Sequence, residues 1–424
     1  MSLWETLKKW IFPDPVRDVS RLESEDVDTL QETIDISGKP FKEHHQRRAI
    51  RDRRLLPKKK SLLHFGKRKP VMTSEEADRL FASSLRNRGR AIRDLLPDED
   101  QLKRFNLPVW KSEEEIAEAL GITRNELRFY SIHRAKERFC NYITFTIPKR
   151  SGGLRRIMAP KKRLKVLQRR LLPLLVEHLP VGEHAHGFCT GKSIRTGAEP
   201  HVGKKVVVHL DLKDFFPTLH FGRVRGFLIA MGYGYQVATV LAMLMTEAER
   251  QPVETDEGIF FVPVTYRYCV QGAPTSPGLS NAIFLKVDRR LAGLARRLGV
   301  AYTRYADDLT FSGDDPGVVQ PLLKVAERIL TAEGFAINPA KTRVMRSGGR
   351  QTVTGVVVNR DLGLSRRERR KLRAMAHQLS GKQESANLPD SENDRAERLA
   401  RLRGKIAYLA MLNSGQADRI RQRL

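Results

Sequence analysis

Two adjacent carboxylates interrupt an apolar, β-forming run at Tyr305-Ala306-Asp307-Asp308-Leu309-Thr310-Phe311-Ser312. Neighbouring side chains on a strand point to opposite faces. Both carboxylates can therefore serve one site only where the backbone reverses in a tight hairpin. Held together there they repel, and binding of divalent cations relieves the repulsion. A third carboxylate, Asp211, ends a second apolar run, Val206-Val207-Val208-His209-Leu210-Asp211. An apolar strand ending in Asp, beside a hairpin carrying Asp-Asp, predicts the two-metal constellation of a polymerase palm. One ion activates a hydroxyl nucleophile; the other steadies a triphosphate and its leaving pyrophosphate.

Further segments share an order with these. Lys149 is followed by Gly152-Gly153-Leu154-Arg155-Arg156-Ile157, and then by Ala185-His186-Gly187-Phe188 and Gly191-Lys192-Ser193-Ile194. After the Asp211 segment come Gln271-Gly272-Ala273-Pro274-Thr275-Ser276-Pro277 and the Asp-Asp hairpin. Gly334-Phe335, Asn338, Lys341-Thr342 and Val353-Thr354-Gly355 close the series. The ordered set resembles the reverse transcriptases, and within them the bacterial retron type. Ala198-Glu199-Pro200-His201 resembles a retron Asn-Ala-x-x-His motif, except that Gly197 stands where the family has Asn.

The resemblance implies an α+β fold of right-hand polymerase type: fingers, a palm of antiparallel sheet backed by helices, and a helical thumb. It implies an N-terminal extension over 1–90, fingers and palm over 91–345 and a thumb over 346–424. Asp211, Asp307 and Asp308 would hold Mg²⁺, and Lys341 would protonate the leaving pyrophosphate. Lys149 and Arg155 would clamp the triphosphate. Phe216 would lie under the incoming sugar and exclude a ribose 2′-hydroxyl, while Gln271 and Gly272 would face the nucleotide. RNA contacts are implied for His201, Val353, Thr354, Gly355, Arg366 and Arg370. The implied partners are a noncoding RNA serving as template and primer, its DNA product, deoxynucleotides and an effector protein. The implied product is branched RNA–DNA and the implied role phage defence. Other bacterial reverse transcriptases, an idle RNA-binding scaffold and a nucleotide cyclase are the alternatives. Intact Asp211, Asp307 and Asp308 argue against the scaffold; Phe216 and Gln271 argue against the cyclase.

Charge supports a polyanionic partner: the formal net charge is +28. Basic residues cluster over 42–69, as in Arg47-Arg48, Arg53-Arg54 and Lys58-Lys59-Lys60, with leucines between them. This reads as an RNA-contacting arm. An acidic stretch over 18–35 and an amphipathic helix over 2–12 precede it. Cys140, Cys189 and Cys269 form no Cys-x-x-Cys pair, which suits a reducing cytoplasm. No apolar run approaches the roughly 18 residues of a membrane span. Periodicity predicts a capping box at Ser112–Glu115, a strand over 142–147, a helix over 161–179, a helix opening at Ser280-Asn281, and basic helices over 365–380 and 395–424. Asp214 reads as a helix cap or the partner of a basic neighbour, not a metal ligand.

Overall fold

Polar caps open the first helices. Asp98 accepts from the Gln101 N–H at 3.0 Å ahead of α1 (Glu99–Arg104). Ser112 accepts from the Glu115 N–H at 3.3 Å ahead of α2 (Glu113–Leu120). The expected capping box is displaced by one residue: the Glu115 carboxylate accepts from the Lys111 N–H at 2.7 Å. Thr123 caps α3 (Arg124–Ser131). The computed structural model describes residues 96–424 apart from 133, 135, 136, 150, 151, 256 and 381–391. The expectations for 2–12, 18–35 and 42–69 lie outside the described residues.

Next come β1 (Tyr142–Pro148) and β2 (Leu154–Pro160), an antiparallel hairpin in which Ile147 faces Arg155. α4 (Lys162–Leu174) buries Leu164, Leu167, Gln168 and Leu171. The helix expected over 161–179 is shorter than that. Pro173 lies in its last turn, Leu175 leaves helical geometry, and a 3₁₀ turn over Val176–His178 follows.

A five-stranded antiparallel sheet forms around β3 (Val206–Lys213), which α5 (Ile194–Ala198) precedes. After β3 come α6 (Phe215–Thr218), α7 (Phe221–Ala230), α8 (Tyr235–Met245), and a hairpin of β4 (Arg250–Thr255) and β5 (Gly258–Pro263). α9 (Ser276–Leu298) starts four residues before the expected Ser280, and leads into β6 (Ala301–Tyr305) and β7 (Asp308–Gly313). α10 (Val319–Ala332), β8 (Ala336–Ile337) and β9 (Arg343–Arg346) complete this region. β7 lies between β3 and β6, while β8 and β9 both pair with the other edge of β3.

Strand alternation sorts this sheet. Val208, Leu210 and Leu212 of β3 share a buried face with Leu309 and Phe311 of β7 and Tyr302 and Arg304 of β6. α9 backs that face. His209 and Asp211 project from the other face with Asp308, Thr310, Thr303 and Tyr305.

β10 (Thr352–Val353) and β11 (Val356–Val357) form a small hairpin, followed by α11 (Arg366–Leu379), α12 (Glu392–Leu412) and α13 (Ser414–Arg421). A reciprocal Ser365–Glu368 capping box opens α11. The single helix expected over 395–424 is two: Asn413 leaves helical geometry and caps α13 by accepting from the Gln416 N–H at 3.0 Å. Leu372, Leu402, Ile406, Leu409 and Leu412 form a core with Val353, Val356 and Val358, and Ala198 and Val207 of the sheet region join it. The architecture is α+β, as expected. Among the described residues no helix is long and apolar enough to cross a membrane.

Candidate active site

The register of β3 and β7 sets Asp211 directly opposite Asp308, so the two carboxylates share a face. β6 and β7 are joined by a two-residue turn, Ala306-Asp307, because Tyr305 pairs with Asp308. Ala306 carries φ 54°, a left-handed value uncommon for a residue with a β-carbon. The Asp307 carbonyl accepts from the Leu212 N–H at 3.1 Å, which ties the turn to β3. Tight reversal and cross-strand register together bring the three carboxylates to one end of the sheet.

Their electrostatics are those of a crowded anionic site. Burial, then the Asp307 and Asp211 charges, push Asp308 up to about 7. Burial also raises Asp307, against the opposing charges of Lys341 and Arg155. Lys341 places its ammonium 2.9 and 3.0 Å from the two carboxylate oxygens of Asp211, and the Asn338 amide donates to one of them at 3.4 Å. Asp211 is thus paired with the cation of an exposed side chain. His209 Nε2 lies 3.6 Å from Asp308, and burial holds its pKa below the ordinary value. Among the described residues no three His, Cys, Asp or Glu side chains close on one point as a ready-made cage. Such an open, oxygen-only set fits Mg²⁺, which takes one or two carboxylates and leaves positions for water and phosphate.

Phe216 follows Asp211 on the short α6 and is half-buried; its ring meets Phe215 edge-on at 5.4 Å. Phe215 is buried against Phe284 and Phe335, which anchors the pair. Arg155 is exposed on β2 and close enough to favour the ionised form of Asp307. Arg156, on the opposite face, pairs with Glu249. Lys149 stands exposed at the end of the β1–β2 hairpin. Gln271 is half-buried, and its carbonyl accepts from the Met158 N–H at 2.8 Å. Gly272 has φ 123°, and a β-carbon there would lie 2.6 Å from the Met158 carbonyl oxygen. The approach of β2 thus requires glycine here.

Several expectations are corrected. His201 is fully buried and cannot reach RNA. Its Nδ1 lies 2.6 Å from Ser312 Oγ, and its Nε2 2.7 Å from Thr303 Oγ1. Thr303 spends its proton on the Gly197 carbonyl, so it accepts from Nε2–H, and Nδ1 accepts from Ser312. His201 is a clamp between β6, β7 and the segment before β3. Val353 is buried in the C-terminal core. Thr354 Oγ1 is buried without a hydrogen-bond partner, so it does not offer a hydroxyl at the surface. Thr354 and Gly355 have φ 46° and 87°, and Gly355 is exposed, so the turn presents main chain outward. Arg366 and Arg370 are exposed on α11. Asp214 occupies the cap position of α6 at φ 47°, with no capping bond.

Sequence reading missed Arg304, Asp288 and Asn281, all buried beneath the Asp-Asp turn. A lone arginine alternating into the apolar face of β6 is the signal that could have found them, because a buried charge needs partners.

The family pattern described as "Reverse transcriptase (RNA-dependent DNA polymerase)" matches residues 147–383. The chain is 57% identical to the retron Mx65 reverse transcriptase of Myxococcus xanthus, over 93% of this chain and 90% of that one. It is 42% identical to the retron Mx162 reverse transcriptase of the same organism, over 74% and 67% respectively. It is 31% identical to the retron Ec86 reverse transcriptase of Escherichia coli, over 66% and 81%.

Proposed function

We propose that this chain, which belongs to the retron reverse transcriptases and is an RNA-directed DNA polymerase, copies a structured noncoding RNA that is both template and primer. The product is branched RNA–DNA, and the setting is cytoplasmic phage defence with an effector protein. The observation that carries the polymerase chemistry is the register placing Asp211 opposite Asp308 with Asp307 in the adjoining turn. High identity to retron enzymes over most of both chains supports the RNA substrate.

In this reading Asp211, Asp307 and Asp308 hold divalent ions, Mg²⁺ by the hardness of the oxygen donors, and the ions when bound supply Lewis-acid activation and charge neutralisation. Lys341 leaves Asp211 and becomes the proton donor to pyrophosphate. Arg155, with Lys149, binds the triphosphate through charge-assisted hydrogen bonds. Phe216, backed by Phe215, closes the space a 2′-hydroxyl needs. Gln271 orients the nucleotide from a loop stitched to β2. Residues 91–345 act as fingers and palm, and 346–424 as a thumb whose Gly355 turn and exposed Arg366 and Arg370 grip nucleic acid. Residues 1–90 form a basic extension that adds RNA contacts.

The test is Asp307→Ala with Asp308→Ala. DNA synthesis on the co-purifying RNA should vanish while RNA binding persists, because the carboxylates hold metal and the basic surfaces hold RNA. Undiminished primer extension would sink the assignment. Sequencing of the co-purified nucleic acid, with debranchase treatment, tests the branched product.

A further inference from the structure

A fully buried cation sits directly behind the Asp307 turn. Arg304 has no solvent exposure and Asp288 of α9 almost none. The guanidinium grips that carboxylate with two bonds, Nε to Oδ1 at 2.9 Å and Nη2 to Oδ2 at 2.7 Å. Tyr302 donates to the same carboxylate at 2.8 Å. The remaining nitrogen, Nη1, reaches Asn281 Oδ1 at 2.9 Å and the Ala306 carbonyl at 3.2 Å. Asn281 in turn donates to the Gly187 carbonyl at 2.8 Å. A β-carbon at Gly187 would come within 3.1 Å of the Ala306 nitrogen and the Tyr305 ring. The Arg304 guanidinium also lies over the Phe284 ring, 4.6 Å from its centroid.

A buried ion pair is weak evidence for stability, since desolvation offsets the attraction; apolar residues of similar volume often serve a fold as well. What apolar residues cannot do is donate to the carbonyl of Ala306. That residue holds a left-handed angle unfavourable to alanine, and such strain persists only where surroundings over-determine it. The next residue is Asp307.

We infer that Arg304 is a positioning residue, gripped by Asp288 and Asn281, that locks the Ala306-Asp307 turn in its strained form and so sets Asp307 against Asp211 for metal binding. This rests on the metal-ligand reading of Asp307 given above. Asp288 fixes the direction of the guanidinium, Asn281 joins it to the Gly187 segment, and Leu212 holds the turn from the β3 side.

The experiment compares the full-length protein with Arg304→Met/Asp288→Leu, which replaces the pair by apolar residues, and with Arg304→Lys, which keeps the charge but loses the fork. Thermal unfolding, Mn²⁺ binding by electron paramagnetic resonance, and DNA synthesis against metal concentration are measured on each. The double variant should melt below wild type, because Tyr302 and Asn281 lose buried partners, and once folded should need several-fold more Mn²⁺ for half-saturation, with synthesis down at least about tenfold. Arg304→Lys should also bind Mn²⁺ more weakly, since one ammonium cannot serve Asp288, Asn281 and Ala306 together; it decides the matter if the double variant does not fold. Wild-type Mn²⁺ affinity in the folded variants would overturn the inference. A wild-type protein that binds Mn²⁺ but makes no DNA would overturn the polymerase mechanism, while the binding comparison still decides the role of Arg304.

Discussion

At the scale of the residue, burial converts titratable groups into structural ones. Burial, with the charges of His186 and Lys204, holds His201 down at about 3, far below the ordinary histidine value. The unfolded chain therefore takes up a proton that the folded chain refuses. The contribution of the neutral ring is complete above about pH 6.5 and is lost as pH falls toward 3, at up to about 1.4 kcal/mol per pH unit. His201→Gln should lower stability at neutral pH but flatten its decline between about pH 6.5 and 4, as read by denaturant unfolding at several pH values. An unchanged slope would show that the decline arises elsewhere, His186 being the next candidate because burial lowers it to about 4. Phe216 works by volume. Phe216→Val should improve ribonucleotide incorporation relative to deoxynucleotide by roughly 10- to 200-fold, the range a steric pocket contact supplies. A mutant that rejects ribonucleotides as well as wild type would place the sugar gate elsewhere.

Among the elements, α11 separates packing from binding. Leu372 and Ala376 face the core, while Arg366, Arg367, Arg370 and Arg373 are exposed. Glu368 is engaged in the cap with Ser365. Arg366→Ala with Arg370→Ala should leave the fold intact and reduce the slope of log affinity against log salt by about 0.7–0.9 for each phosphate the side chains cease to neutralise. RNA-binding titrations from low to moderate salt read this directly, and an unaltered slope would assign the row to solvation. The β10–β11 turn follows a different logic. Gly355→Val adds a β-carbon at φ 87°, so it should disturb the turn and weaken primer extension even though nothing crowds the position.

For the molecule as a whole, the C-terminal helices and the palm-like sheet share one core. Ala198 and Val207 pack with Leu402, Leu409 and Ile420, and Arg195 donates to the Met411 carbonyl at 2.9 Å. Leu409→Ala should cost about 2–5 kcal/mol and destabilise both regions together, as seen by calorimetry. A low-temperature transition confined to the C-terminal helices, with the rest unaffected, would show that the shared core does not couple them.

Much of this protein is legible in its residues because the decisive patterns are local. The run around Asp307-Asp308 dictates a reversal, since adjacent strand side chains diverge, and the alternation of β3 dictates that Asp211 and His209 share a face. The capping residue Ser112 marked the start of α2. Helix ends were less legible: Leu175 and Asn413 interrupt runs whose apolar spacing continues past them. Only tertiary structure decided which polar groups are buried. His201 reads as an RNA contact until Ser312 and Thr303, more than a hundred positions away, take both its nitrogens. Gly272 reads as a residue facing the nucleotide, and the Met158 carbonyl beside it adds a second demand for glycine that no local pattern reveals. Arg304 reads as an interruption of a strand until α9 brings Asp288 and Asn281 beneath it. Periodicity encodes which way a side chain points; what it meets there depends on residues distant in the chain, which packing alone brings together.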